Sequence, residues 1–130
     1  MTVILLRHAS AGHRKDWDGD DTLRPLDEQG RAQAAALRDE LLAHGVTRAV
    51  SSPYVRCTQT LEPLGLEVEV DERLTEGAST DETLELLGSI DGAVACTHGD
   101  VIENVLGRPL EKGAAVVLDG LEVVEELPAP

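Results

Sequence analysis

Met1-Thr2-Val3-Ile4-Leu5-Leu6-Arg7-His8-Ala9 opens the chain, and its apolar run from Val3 to Leu6 leads straight into an arginine and a histidine. An apolar run without polar alternation is what a strand buried on both faces requires. Such strands belong to parallel sheets covered by helices, so helix and strand should alternate downstream. Asp27 is placed to cap a helix from about Glu28 to Ala43, with Gly45 just past its end. Arg48 to Ser51 reads as a second strand, and Ser52-Pro53 starts a helix through about Glu62, with proline early enough that its missing N–H costs little. Leu66 to Val70 alternates apolar with acidic residues, as a strand near a sheet edge does. Thr80 or Asp81 begins a short helix through Leu87. Gly92 to Thr97 is another apolar strand, and Gly99-Asp100 leads into a helix ending before Gly107. Two closing strands, Ala114 to Leu118 and Leu121 to Leu127, flank Asp119-Gly120, a hairpin signal.

The expected fold is therefore α/β: a three-layer α/β/α sandwich with a mostly parallel sheet and a C-terminal hairpin, in one domain spanning residues 1–130. Ligands of such sheets bind beyond the carboxyl ends of the strands. Arg7 and His8 follow the first strand, Arg56 follows the second, and His98 follows the strand ending at Thr97.

A formal net charge of −14 over 130 residues argues against general binding to nucleic acid or anionic membranes. Any phosphate site must concentrate positive charge locally. No apolar run is long enough to span a membrane, and the N-terminus lacks the basic and cleavage signals of a leader, so a cytoplasmic location is expected. Cys57 and Cys96 read as reduced core residues. Neither has arginine at the spacing of a cysteine phosphatase, since Pro63 and Ile102 stand there. The acidic cluster Asp16, Asp18, Asp20 and Asp21 lacks the glycine and terminal glutamate of a calcium loop and reads as a solvated face. The histidines show no zinc spacing, so no metal site is expected.

Two arginines and two histidines at one sheet edge suit phosphoryl chemistry. Arginine's planar fork neutralises phosphoryl oxygens and stays charged. A histidine with one free ring nitrogen can attack phosphorus, and a second can stabilise the charge that develops. Each residue taken alone also has a plain reading. His8 and His98 could satisfy strand ends, and Arg56 could be a helix-surface charge.

In Leu6-Arg7-His8-Ala9, in Ser51-Ser52-Pro53-Tyr54-Val55-Arg56-Cys57-Thr58-Gln59-Thr60 and in Thr97-His98-Gly99, the chain resembles the histidine phosphatase superfamily, which includes the cofactor-dependent phosphoglycerate mutases. Leu23-Arg24-Pro25-Leu26-Asp27 with Gly30 is similar to its compact branch: the SixA-type phosphohistidine phosphatases and the domains that follow Nudix hydrolase domains in actinobacterial 8-oxo-guanine nucleotide hydrolases. The resemblance implies that His8 is transiently phosphorylated, that Arg7, Arg56 and His98 hold the phosphoryl group, and that no metal or organic cofactor is needed. It implies Glu76 as the acid, with Glu72 close by. The family's glycine after the nucleophile is Ala9 here, a departure that matters if the position needs a positive φ.

Ser10 and His13, in the first loop, are candidate substrate contacts, although an ordinary exposed loop also explains His13. Trp17 either stacks on a base or anchors that loop. There is no room for the insertions that enclose small substrates, so an open pocket for a phosphoprotein or a phosphorylated small molecule such as a nucleotide is expected. Two other readings stay in view: mutase-type transfer within a sugar acid, and a catalytically silent phosphate-binding module. Oligomeric state is not legible.

Overall fold

The computed structural model describes residues 1–130. Six strands, β1 (Thr2–Arg7), β2 (Arg48–Ser51), β3 (Val68–Val70), β4 (Ala93–Thr97), β5 (Ala115–Asp119) and β6 (Glu122–Leu127), form one sheet in the order β3-β2-β4-β1-β5-β6. Strands β3, β2, β4 and β1 pair in parallel, while β5 pairs antiparallel with both β1 and β6. Four helices cover it: α1 (Glu28–Ala43), α2 (Val55–Leu61), α3 (Thr80–Leu87) and α4 (Gly99–Leu106).

The opening strand shows why its apolar run is unbroken. Val3 and Leu5 point into a core with Leu86 and Leu87 of α3 and Ile102 of α4. Ile4 and Leu6 point into a second core with Leu37 and Leu41 of α1 and Cys57 and Leu61 of α2. Each fully buried leucine side chain stabilises the fold by about 1.5–3 kcal/mol, so each face of β1 binds a helical layer. Both cysteines are buried and free.

Three elements differ from the sequence reading. Helix α2 starts at Val55, because Ser52 N still donates to Cys96 O at 3.0 Å and Tyr54 stays extended at φ −66°, ψ 138°. Pro53 therefore lies in the turn ahead of the helix. Strand β3 shrinks to Val68–Val70, after a Glu62–Leu64 turn closed by left-handed Gly65. The hairpin turns on Gly120 and Leu121, with φ of 56° and 67°, one residue later than expected. Asp119 stays in the ladder opposite both Thr2 and Glu122, which leaves a non-glycine residue to take the left-handed position.

Candidate active site

The carboxyl ends of β1, β2 and β4 open into a cleft of about 510 Å³. Five cations (Arg7, Arg14, Arg24, Arg56 and Lys112) and His8, His13 and His98 line it, against three carboxylates, Glu76, Asp100 and Glu103. Nearly half of the chain's 11 basic residues thus gather in one place on a protein of net charge −14. This is the local concentration that the overall acidity demanded.

His8 continues the ladder past β1, its N–H donating to Thr97 O at 3.1 Å. Its ring is 6% exposed, and Nδ1 lies 2.8 Å from Ala9 O. A carbonyl only accepts, so Nδ1 carries the proton and Nε2 keeps its lone pair. Burial lowers the ring's pKa to about 3. The Ala9 carbonyl works against this fall, and the charges of His98, Arg56 and Arg7 add to it. His8 is therefore a neutral imidazole at any ordinary pH.

Ala9 resolves the glycine question. It is fully buried, its φ lies outside the left-handed region, and its methyl packs with Ala11, Leu26 and Ala34. Its N–H donates to Thr60 Oγ1 at 3.0 Å, and that hydroxyl donates to Arg56 O at 2.7 Å. The link ties the nucleophile's strand end to the helix carrying Arg56.

Arg56 is 1% exposed. It donates through Nη1 to Asp21 O at 2.8 Å, and through Nη2 to Asp21 Oδ2 at 3.1 Å and Glu76 Oε2 at 2.9 Å. Arg7 donates from Nη1 to Leu110 O at 2.7 Å. Gly99 backs it closely, since a Cβ there would fall 2.9 Å from the guanidinium carbon. His98 lies edge-on to His8 with ring centroids 5.5 Å apart. Ser52 Oγ accepts from Tyr54 N at 3.3 Å and shares a hydrogen bond with His98 Nε2 at 2.8 Å.

Three buried side-chain nitrogens in the whole chain lack a hydrogen-bond partner: Arg7 Nε, Arg56 Nε and His98 Nδ1. All three belong to cleft-lining residues beside His8. An unpaired buried donor costs about 1–3 kcal/mol. Two arginine donors and an unpaired histidine nitrogen around a neutral imidazole describe a cradle for an anion with several oxygens.

The remaining candidates divide. Glu76 lies in the cleft, accepting from Arg14 Nη2 at 2.7 Å and standing 3.9 Å from His98 Nδ1. His13 is an exposed rim residue. Ser10 lies outside the cleft, on the wall of an adjoining cavity. Its hydroxyl donates to Asp27 Oδ2 at 2.8 Å and its N–H to Gln33 Oε1 at 2.9 Å, so it fastens the first loop to α1. Asp27 also accepts from Gly30 N at 2.7 Å and Gly12 N at 3.0 Å. Trp17 is a loop anchor, donating from Nε1 to Asp20 O at 2.9 Å.

The acidic cluster is not simply a solvated face. Asp21 pairs with Arg24 at 3.0 Å, Arg56 at 3.1 Å and Arg14 at 3.4 Å, and Asp20 caps its own turn through Thr22 N. Buried Arg24 donates to Ala11 O as well, fixing the loop over the cleft. Asp21 stands apart from the motifs, and only its place in a run of four aspartates marked it. Lys112 likewise carries no motif.

The family model for "Histidine phosphatase superfamily (branch 1)" matches residues 3–85. The chain belongs to the histidine phosphatase superfamily. The chain is 40% identical over 116 residues to the 8-oxo-(d)GTP phosphatase of Mycolicibacterium smegmatis. That match takes in 81% of this chain but only 36% of the relative's length. Among histidine phosphatase structures, the fold is similar to SixA of Agrobacterium tumefaciens, with TM-score 0.77, 22% identity and coverage of 99% and 97% of the two chains. It is also similar to the protein histidine phosphatase SixA complexed with tungstate, at TM-score 0.74, 23% identity and coverage of 98% and 97%. At such identities the likeness concerns the fold alone. No helix is long and apolar enough to cross a membrane.

Proposed function

We propose that the chain hydrolyses a phosphomonoester or phosphoramidate through a phosphohistidine on His8. The observation that carries this reading is the set of three unpaired buried nitrogens, Arg7 Nε, Arg56 Nε and His98 Nδ1, around a histidine that burial keeps neutral. In the first step His8 Nε2 attacks phosphorus, while its Nδ1–H, held by Ala9 O, steadies the ring. Arg7, Arg56 and His98 take the equatorial oxygens, where charge accumulates in the transition state. An arriving phosphoryl group replaces Glu76 on Arg56, and Glu76 then stands beside the leaving oxygen as the proton donor. Water next attacks phosphorus, the N–P bond breaks, and phosphate leaves. Family membership supports this chemistry, and the identity to an 8-oxo-(d)GTP phosphatase favours a nucleotide over a phosphoprotein as substrate.

Hydrolysis of p-nitrophenyl phosphate in EDTA by wild type and His8→Ala, side by side, tests the proposal. Turnover by the wild type alone is the expected result. Equal turnover by both proteins, or a strict need for added metal, overturns it. Activity confined to the wild type also removes the silent binding module.

A further inference from the structure

Lys112 is the one cation in the cleft that the phosphatase chemistry above leaves without a task. Arg14, Arg24 and Arg56 each hold carboxylates, and Arg7 donates to Leu110 O. Lys112 forms no ion pair, although the chain has 25 acidic side chains to offer. Lys112 is half-buried on the cleft wall. Burial lowers its pKa, and Arg7 and Arg24 push the same way while Asp27 opposes them. Crowding an unpaired cation against other cations destabilises the empty protein and is repaid only by a bound anion.

Its backbone is fixed relative to the nucleophile. Gln33 Nε2 donates to Lys112 O at 3.3 Å. The next amide, Gly113 N, donates to both Arg7 O and His8 O at 3.1 Å. Gly113 takes φ +84°, and a Cβ there would press within 3.2 Å of the Gln33 amide, so the segment fits tightly at this point. Lys112 is thus presented by a rigid turn bound to the residues that carry the chemistry.

Lys112 also stands where two cavities meet. It lines the catalytic cleft, and with Gly12 and His13 it lines an adjoining cavity of about 580 Å³ beside Gln29 and Gln33. The His13 side chain on this rim makes no hydrogen bond, while its carbonyl accepts from Asp16 N at 3.0 Å. A substrate extending from His8 into the second cavity crosses the Lys112 rim on the way.

Resting on the phosphatase reading above, we propose that Lys112, with His13 on the shared rim, forms a second anion subsite that binds the phosphoryl group next to the one His8 attacks. The substrate class is then a terminal diphosphate, such as a nucleoside diphosphate, with its organic part in the adjoining cavity. In the transfer step the bond between His8 Nε2 and the terminal phosphorus forms, and the bond from that phosphorus to the bridging oxygen breaks. The electron pair stays on the bridging oxygen, now part of the departing monophosphate, beside the Lys112 ammonium. Water then cleaves the N–P bond and releases inorganic phosphate.

The test is calorimetric binding of methylphosphonate and methylenediphosphonate, neither of which the enzyme can hydrolyse, in EDTA. Wild type is expected to bind the diphosphonate at least about tenfold tighter, the factor that one charge-assisted hydrogen bond supplies. In Lys112→Gln the ratio of the two affinities falls towards one, and in Lys112→Arg it is largely restored. Lys15→Gln removes an unpaired exposed charge outside the cleft and keeps the wild-type ratio, which separates a subsite from general electrostatic attraction. A wild-type protein that binds methylphosphonate without preferring the diphosphonate overturns the inference and leaves the phosphatase reading standing. So does a preference that survives in Lys112→Gln. Failure to bind either compound overturns both.

Discussion

His8 makes the protein sensitive to acid in a way that one substitution isolates. Its pKa falls from 6.5 in the unfolded chain to about 3 in the fold, chiefly through burial. Between those values the unfolded state binds a proton that the folded state refuses. Stability therefore declines as pH falls below 6.5 and is fully recovered above it. At pH 5 the loss is about 2 kcal/mol, from about 1.5 pH units at 1.36 kcal/mol each, and it approaches ~5 kcal/mol near pH 3. The ring is 6% exposed, so solvent screening removes little of this. Other groups titrate in the same range. His44 is shifted upward by the Glu40 carbonyl and by Glu125, so it contributes stability below 6.5 that is lost as pH rises. Lowered carboxylates such as Asp21 and Asp27 lose stability on acidification. A comparison with His8→Asn cancels these shared contributions. Urea unfolding of both proteins from pH 5 to 7.5 should show the variant gaining about 2 kcal/mol on the wild type at the acid end. Parallel stability curves would refute the claim that His8 is held neutral by burial.

Thr60→Val removes the hydroxyl that accepts from Ala9 N and donates to Arg56 O. It should cost about 1–3 kcal/mol in denaturant unfolding, because the Ala9 N–H is left buried without a partner. Gly30→Ala would place a Cβ 1.8 Å from Ser10 O, inside the backbone. Thermal unfolding should show a loss of several kcal/mol, in the range reserved for severe core disruption. Glu76→Gln should lower kcat on an alkyl phosphate at least about tenfold more than on p-nitrophenyl phosphate, whose leaving group departs without a proton. Equal losses on the two substrates would remove Glu76 from the acid role.

Much of the fold was legible because one rule repeats: apolar strands that face two helical layers read as unbroken runs. Val3–Leu6 and Ala93–Thr97 show this plainly. The misread elements sit where tertiary contacts decide between close alternatives. Pro53 suits the first turn of a helix, but the ladder bond from Ser52 N keeps the chain extended for two more residues. Asp119-Gly120 suits a tight turn, yet pairing with Thr2 holds the aspartate in the strand and moves the turn onto Leu121. In the cleft, Arg7, His8, Arg56 and His98 were found because strand ends and motifs coincide. Asp21 and Lys112 were not singled out, because single charges on loops have no period. Their meaning comes from what lies opposite them in space. Ser10 shows the converse, since a hydroxyl two residues from the nucleophile turns away to the cap of α1.

The directions of the outer strands bear on how the protein should be handled. Met1 precedes β1 at the end of the sheet away from the cleft, where its amino group lies 3.7 Å from Asp119. β6 runs alongside in the same sense as β1, so Ala129 and Pro130 finish at the cleft end and line the cavity that adjoins it. An affinity tag or fluorescent fusion therefore belongs ahead of Met1. The same addition after Pro130 would stand against that cavity and obstruct it.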